Sequence, residues 1–267
     1  MGTGDGRKDA NGRLLHGGYW RTSDAWPVTD TRMVPYYFQP DGSLRTTKPK
    51  APQSKTTYTF DPRHPVPTIG GGASARLKDG AYNQREDPRF PPSAAPWLPL
   101  RSRADVVVFQ TEPLAEDLTV IGPITVKLFA SASTVDADFT AKLVDVYPSS
   151  TDWPGGFDLN LTDAIVRGRY RATRDHSVML QPGRVYEFTI DPFPTANVFK
   201  KGHRIVVHLQ STWYPAVDRN PQRFVPNIYK AKDADFQTAT MTVFHSPARP
   251  SQTMRCLRAT TRFAAGP

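Results

Sequence analysis

Between residues 124 and 131 the side chains fall into two alternating sets. Ile124, Val126, Leu128 and Ala130 form one, and Thr125, Lys127, Phe129 and Ser131 the other. A period of two marks a half-buried β-strand. A small polar turn follows over 131–138, and a second strand opens with Phe139, Ala141 and Leu143 on one face. At Val144 and Val146 the apolar phase slips to the other face. A slip of one residue needs either a bulge or a strand covered on both sides. The pair therefore reads as a hairpin deep in a sheet packing.

The same grammar governs the chain from residue 105 onward. Strands are expected at 106–109, 118–121, 124–131, 139–147, 165–170, 185–190, 205–209 and 241–244. Gly122-Pro123 separates the second from the third, and Pro182-Gly183 and Lys201-Gly202 supply turns. Only 231–236 has a helical pattern. About eight short strands with almost no helix point to an all-β fold, a jelly-roll two-sheet β-sandwich. The first hundred residues differ, because they hold 13 of the 26 prolines, and proline breaks helices and central strands. Short extended pieces are expected at 34–38, 43–45 and 56–60, and 61–99 reads as irregular. A loop of that length in a compact domain must lie across another surface, here through Tyr82, Phe90 and Trp97. Residues 1–13, rich in Gly and charge, are expected to be disordered.

The net charge of +9 comes from basic residues that are spread along the chain, not blocked, so no nucleic-acid partner is expected. Cys256 is the one cysteine, which excludes an internal disulfide. No apolar run approaches the ~18 residues of a membrane span, and no membrane partner is expected. The N-terminal residues carry no signal-like apolar region, which favours a cytoplasmic setting.

The candidate chemistry is sparse. His16-Gly17-Gly18 resembles an oxyanion turn, but no G-x-S-x-G nucleophile elbow accompanies it. The nearest serine, Ser74, is followed by Arg76 where the second glycine belongs. The plain reading is a tight turn before a buried Trp20. Gly70-Gly71-Gly72 has no Lys-Ser or Lys-Thr and no following helix, so it is a turn and not a phosphate cradle. Asp136 and Asp138 with Asp145 are the only metal candidate, and capping of backbone N–H groups explains the first two better. Arg167, Arg169 and Arg171 project from one strand face, read as a basic face meeting solvent or an acidic neighbour. Asp218-Arg219-Asn220 reads as a structural turn pinned by an Asp–Arg pair and an Asx hydrogen bond. Nucleophile, base and orienter are not found together, so no catalytic residue, metal or cofactor is assigned.

Five motifs, in order, then carry a resemblance. They are DPRHPVPTIGG (61–71), GAYNQR (80–85), DFTAKLVDVYP (138–148), NVFKKGHRI (197–205) and DRNP (218–221). Together they resemble the C-terminal portion of the CocE/NonD family of serine hydrolases, which shares this domain with X-Pro dipeptidyl-peptidases. The resemblance covers roughly residues 14–257. It implies a galactose-binding-like jelly roll packed on an α/β-hydrolase domain that holds the Ser-His-Asp triad and acts on small ester or amide substrates. By the same resemblance the loop holding Gly70, Gly71, Gly72, Ser74 and Arg76 helps wall the substrate pocket. Trp20, Trp26 and Trp97 are anchors for the missing partner. The expected division is 1–50, remnant of the hydrolase domain and linker; 51–258, jelly roll; 259–267, tail. The other reading from the residues is a free-standing carbohydrate- or small-ligand-binding sandwich, with Trp213-Tyr214 as its platform.

Overall fold

A computed structural model describes residues 1–29, 31–70 and 81–258, the last five of these in backbone only. The described chain holds thirteen strands. They are β1 (Thr31–Phe38), β2 (Leu44–Arg45), β3 (Lys55–Phe60), β4 (Val107–Gln110), β5 (Leu118–Ala132), β6 (Asp138–Tyr147) and β7 (Phe157–Arg167). After them come β8 (Tyr186–Ile190), β9 (Thr195–Phe199), β10 (Arg204–Gln210), β11 (Ala239–Ser246), β12 (Arg249–Pro250) and β13 (Gln252–Arg258). One sheet runs β12-β11-β5-β13-β1-β2, with β3 on β11 and β8 and β9 on β5; the other runs β4-β10-β6-β7. The fold is the all-β, jelly-roll-like sandwich that the strand grammar implies.

The larger sheet is built on β5. Two strands were expected there, divided at Gly122-Pro123, but one 15-residue strand runs through. Gly122 takes φ 125°, a conformation open to glycine, and Pro123 has no N–H to leave unpaired. What changes at this point is the partner. β9 pairs with 118–122 and β8 with 126–130, while β13 pairs along 120–127 and β11 along 129–132.

β5 and β6 are not a hairpin. They lie in different sheets, so 131–138 is a corner that carries the chain from one layer to the other. Val126, Leu128 and Ala130 from β5 meet Phe139 and Ala141 from β6 face to face in the main core, with Phe188, Val207 and Met241. Alternation shows which face each strand buries, not whether its mate lies beside it or across from it. The phase slip in β6 has both of its possible causes. The β6–β7 register shifts between Leu143 and Val144, and all ten β6 residues are buried.

The second face of β6 is covered by the proline-rich segment. Val66, Ile69, Phe90, Leu100 and Val106 form a cluster of their own, with Tyr82 and Val108 packed against it. Val108 also joins Val144, Val146 and Val206 on the outer face of the four-stranded sheet. The segment is thus a third layer on its own sandwich, held by Tyr82 and Phe90, whereas Trp97 stays partly exposed. Residues 1–13 are docked rather than disordered. The Gly2 N–H donates to the Ala196 carbonyl at 3.2 Å, and the Trp153 Nε1–H donates to the Gly6 carbonyl at 2.9 Å. The helix expected at 231–236 is one 3-10 turn, Asp233–Asp235.

Leu128 is fully buried where the two layers meet. Leu128→Ala is expected to lower stability by roughly 2–5 kcal/mol with the fold retained, read from urea unfolding by circular dichroism. A loss under ~1 kcal/mol would place the core elsewhere.

Candidate docking face and pocket wall

The polar residues of the five motifs are bonded to one another at three junctions. The first is the corner between β5 and β6. Asp136 and Asp138 are both buried there. Arg169 Nε donates to Asp136 Oδ2 at 2.6 Å, and the Arg169 backbone N–H donates to Oδ1 at 3.0 Å. Arg167 Nη2 donates to Asp138 Oδ2 at 2.9 Å. Asn220 Nδ2 bridges the two carboxylates, at 2.9 Å to Asp136 and 2.8 Å to Asp138. Burial pushes the Asp138 carboxyl above its ordinary value, against the pull of Arg167. The three arginines do not share an open face, because β7 ends at Arg167 and the chain turns through a 3-10 step at Gly168–Tyr170. Arg171 lies over the Tyr186 ring, 4.2 Å from its centre.

In the 218–220 turn, Asn220 Oδ1 accepts from the Gln222 N–H at 2.9 Å. The Asp218 carbonyl accepts from Arg167 at 2.7 Å. Arg219 turns to the Pro62 carbonyl at 3.0 Å and covers the rings of Tyr214 and Phe236. Tyr214 is therefore not a bare platform beside Trp213, and the free-standing ligand-binding reading is not favoured.

The second junction lies toward the other end of β6. Asp145 Oδ1 is 2.8 Å from His203 Nδ1, and Asp145 Oδ2 accepts from Asn197 Nδ2 at 3.1 Å. Thr3 donates to Asn197 Oδ1 at 3.1 Å, which ties the N-terminal segment to this group. Asp145 is seven residues along an extended strand from Asp138, about 23 Å at the strand rise. The three aspartates of the metal candidate do not converge. Among the described residues no three of His, Cys, Asp and Glu gather into a metal-holding group.

The third junction sits under the proline-rich layer. Lys142 is paired across β6 with His208 on β10 and with Asp163 on β7. Its side chain is fully buried, with Nζ 3.3 Å from Gln84 Oε1 and 4.0 Å from Asp163 Oδ2. Burial pushes the Lys142 ammonium down, and Asp163 offsets part of the shift. Burial raises Asp163, offset by Lys142. His208, fully buried with neither ring nitrogen bonded, is pushed down to about 3 by burial, then by Lys142 and Arg101. The amide of Gln84 donates to the carbonyls of Ile69 at 3.0 Å and Tyr82 at 3.4 Å.

Beside this junction opens a cavity of about 540 Å³, lined among others by Gly70, Tyr82, Gln84, Asp163, Phe193 and Trp213. Gly70 has φ 82° and rests against the Tyr82 ring, so a larger residue there is disfavoured by backbone strain and by a tight contact. Gly71, Gly72, Ser74 and Arg76 lie outside the described residues. His16 lines the same cavity, and Gly17 and Gly18 press on the backbone of the first four residues. Trp20 is not buried after that turn but fully exposed. With Tyr19, Trp26 and Phe193, the last 72% exposed, it leaves large apolar side chains in solvent. Charged surface, not aromatic rings, is what keeps a lone domain soluble.

A family model described as the X-Pro dipeptidyl-peptidase C-terminal non-catalytic domain matches residues 2–254. The chain belongs to this family. Cocaine esterase of Rhodococcus sp. (strain MB1 Bresler) is 38% identical over 210 residues, which is 75% of this chain and 33% of the esterase. A putative serine esterase of Mycobacterium tuberculosis is 25% identical over 207 residues, 29% of its length. The chain therefore spans about a third of the curated relatives it matches. An aminopeptidase from a marine-sediment Thaumarchaeota archaeon superposes with TM-score 0.75 at 35% identity, over 90% of this chain and 39% of its own. An α-amino acid ester hydrolase gives TM-score 0.72 at 32% identity, over 90% and 38%. A CocE/NonD family hydrolase from Staphylococcus aureus shares the fold at TM-score 0.59 and 11% identity. These likenesses mark the chain as the C-terminal domain of CocE/NonD-type hydrolases, a domain that accompanies a catalytic α/β domain.

The non-catalytic description agrees with a pair that looks catalytic and is not. Ser54 Oγ lies 2.5 Å from His245 Nδ1. His245 Nε2, however, is bonded to Thr56 Oγ1 at 2.9 Å and not to a carboxylate. The ring is buried against Phe109 and burial pushes its pKa down, so it is a neutral core residue between two hydroxyls. A triad needs an acid behind the base, and among the described residues no carboxylate is bonded to His245.

Two outcomes follow from the junctions. Asn220→Ala leaves both corner carboxylates short of a donor, and is expected to cost about 3 kcal/mol in urea unfolding. His208 binds a proton at an ordinary 6.5 when unfolded and at about 3 when folded. The unfolded chain thus takes up the proton first, and stability falls as pH drops from 6.5 toward 3, by about 1.4 kcal/mol per unit. Above 6.5 His208 contributes no slope. His208→Leu is expected to flatten that acid limb relative to the parent chain, measured by unfolding at pH 4, 5, 6 and 7. Parallel curves would contradict a buried neutral His208.

Proposed function

We propose that this chain serves as the C-terminal domain of a serine ester or amide hydrolase. It packs on an α/β-hydrolase domain and supplies part of the substrate wall. The observation that supports this most is the family match, together with a cavity beside Gly70 whose lining includes the exposed Phe193. Acyl transfer belongs to a Ser-His-Asp triad carried by the catalytic domain. In this reading Gly70, Gly71, Gly72, Ser74 and Arg76 contribute to the wall of the substrate pocket. Trp20, Tyr19 and Phe193 bury against the catalytic domain, as apolar anchors at the centre of an interface do. The substrate is a small ester or amide, and the chain needs no cofactor for this role.

Alone, the chain is expected to hydrolyse p-nitrophenyl butyrate no faster than buffer, before and after treatment with a serine-directed inhibitor. Mixed with the catalytic two-thirds of the Rhodococcus esterase, made without its C-terminal third, it is expected to raise turnover and shift tryptophan emission to the blue. Trp20→Ala is expected to weaken that complex at least tenfold by titration. Inhibitor-sensitive turnover by the chain alone would overturn the reading, and so would the absence of any complex.

A further inference from the structure

We infer that Gln84, held from behind by the buried Lys142, is a positioning residue for the substrate wall. Its amide ties Ile69 to Tyr82, and both line the cavity beside Gly70. This deepens the reading above and rests on it. The geometry is specific. Gln84 Nε2 donates to Ile69 on the incoming side and to Tyr82 on the outgoing side. Its one remaining acceptor, Oε1, takes a hydrogen bond from Lys142 Nζ. The amide is thereby oriented, because an ammonium has donors only and faces the oxygen. The Gln84 backbone is fixed as well. Its N–H donates to the Asp158 carbonyl at 2.9 Å, and its carbonyl accepts from Leu100 at 2.9 Å. Residue 83 forms a bridge to Leu159 at the β7 edge.

Lys142 is otherwise hard to account for. A buried ammonium is costly unless closely paired, and its carboxylate partner stands 4.0 Å away. A methionine would fill the same strand position without that cost. What the ammonium adds is a fixed direction for one amide, and through it a fixed span between Ile69 and Tyr82. Both of these residues line the 540 Å³ cavity.

The test is amide hydrogen exchange on the full chain, read at residues 66–70 and 81–86, with β5 and β10 as internal standards. Gln84→Glu keeps an acceptor for Lys142 but loses the donor to both carbonyls. It is expected to speed exchange at these two stretches at least tenfold, with β5 and β10 unchanged. Lys142→Met removes a buried charge and folds readily; it is expected to speed the same amides, and the double variant Q84M/K142M, which puts no charge at either position, to add nothing beyond the larger of the Q84M and K142M effects alone. Unchanged exchange at the two stretches in Q84E would overturn the inference. So would a uniform rise across the molecule, or additive effects in the double variant. These readouts need no catalytic domain. If they hold while the chain fails to complement the truncated esterase, the clamp stands and the pocket-wall reading falls.

Discussion

Two carboxylates buried side by side decide how this sandwich closes. Asp136 and Asp138 stand where the chain leaves the larger sheet for the smaller, and neither has water to hydrate it. Left alone, two such charges would cost many kcal/mol and would repel each other. Arg169, Arg167 and the Asn220 amide meet them from two other parts of the chain. Because removing any one donor strands a charge, the end of β7 and the 218–222 turn must both be in place when the corner forms. Apolar burial supplies most of the stabilising free energy, but it tolerates many arrangements. The corner tolerates one.

The same device recurs in the third layer. A segment with so many prolines cannot pair along its length as a strand, so its backbone groups need other partners. Arg103 supplies one of them, donating to the His64 carbonyl at 3.1 Å, and ties in the side chains of Glu86 and Asp105, each at 2.8 Å. Arg101 reaches Asp158 on β7 at 3.3 Å. The layer is stapled by arginines at its margins and filled by Phe90, Leu100 and Val66 within. Irregular backbone is held in place here by side chains rather than by regular hydrogen-bond ladders.

The residues gave the fold class easily, because period-two alternation survives any topology. They did not give the corner, since Leu128 and Phe139 read alike whether they are neighbours in one sheet or face each other across two. β9 was missed because Asn197 interrupts its apolar pattern, and that Asn is spent on Asp145. The first half of β7 was missed for the same reason, with Asp158 buried near its start. The arginines after 166 were misread because strand alternation was carried past the residue where the strand ends. In β9 and β7 a buried polar side chain stood where an apolar one was expected. The ordered motifs did register Asn197, as a resemblance, before its partner was visible, but no motif covers Asp158, Arg167, Arg169 or Arg171.

That pattern explains why the polar motif residues matter to a domain without a reaction of its own. Lys142, Asp145 and Asp138 share one strand, and each reaches a different segment: Gln84 in the third layer, His203 beside β10, and Asn220 in the turn after it. A hydrophobic strand in the same place would be at least as stable, because buried ion pairs seldom repay their desolvation. What it would lose is register among three loops that come from distant parts of the sequence. A catalytic domain needs its neighbour's surface held to a fraction of an ångström if that surface is to shape a pocket. β6 therefore acts as a template in which stability is given up for placement.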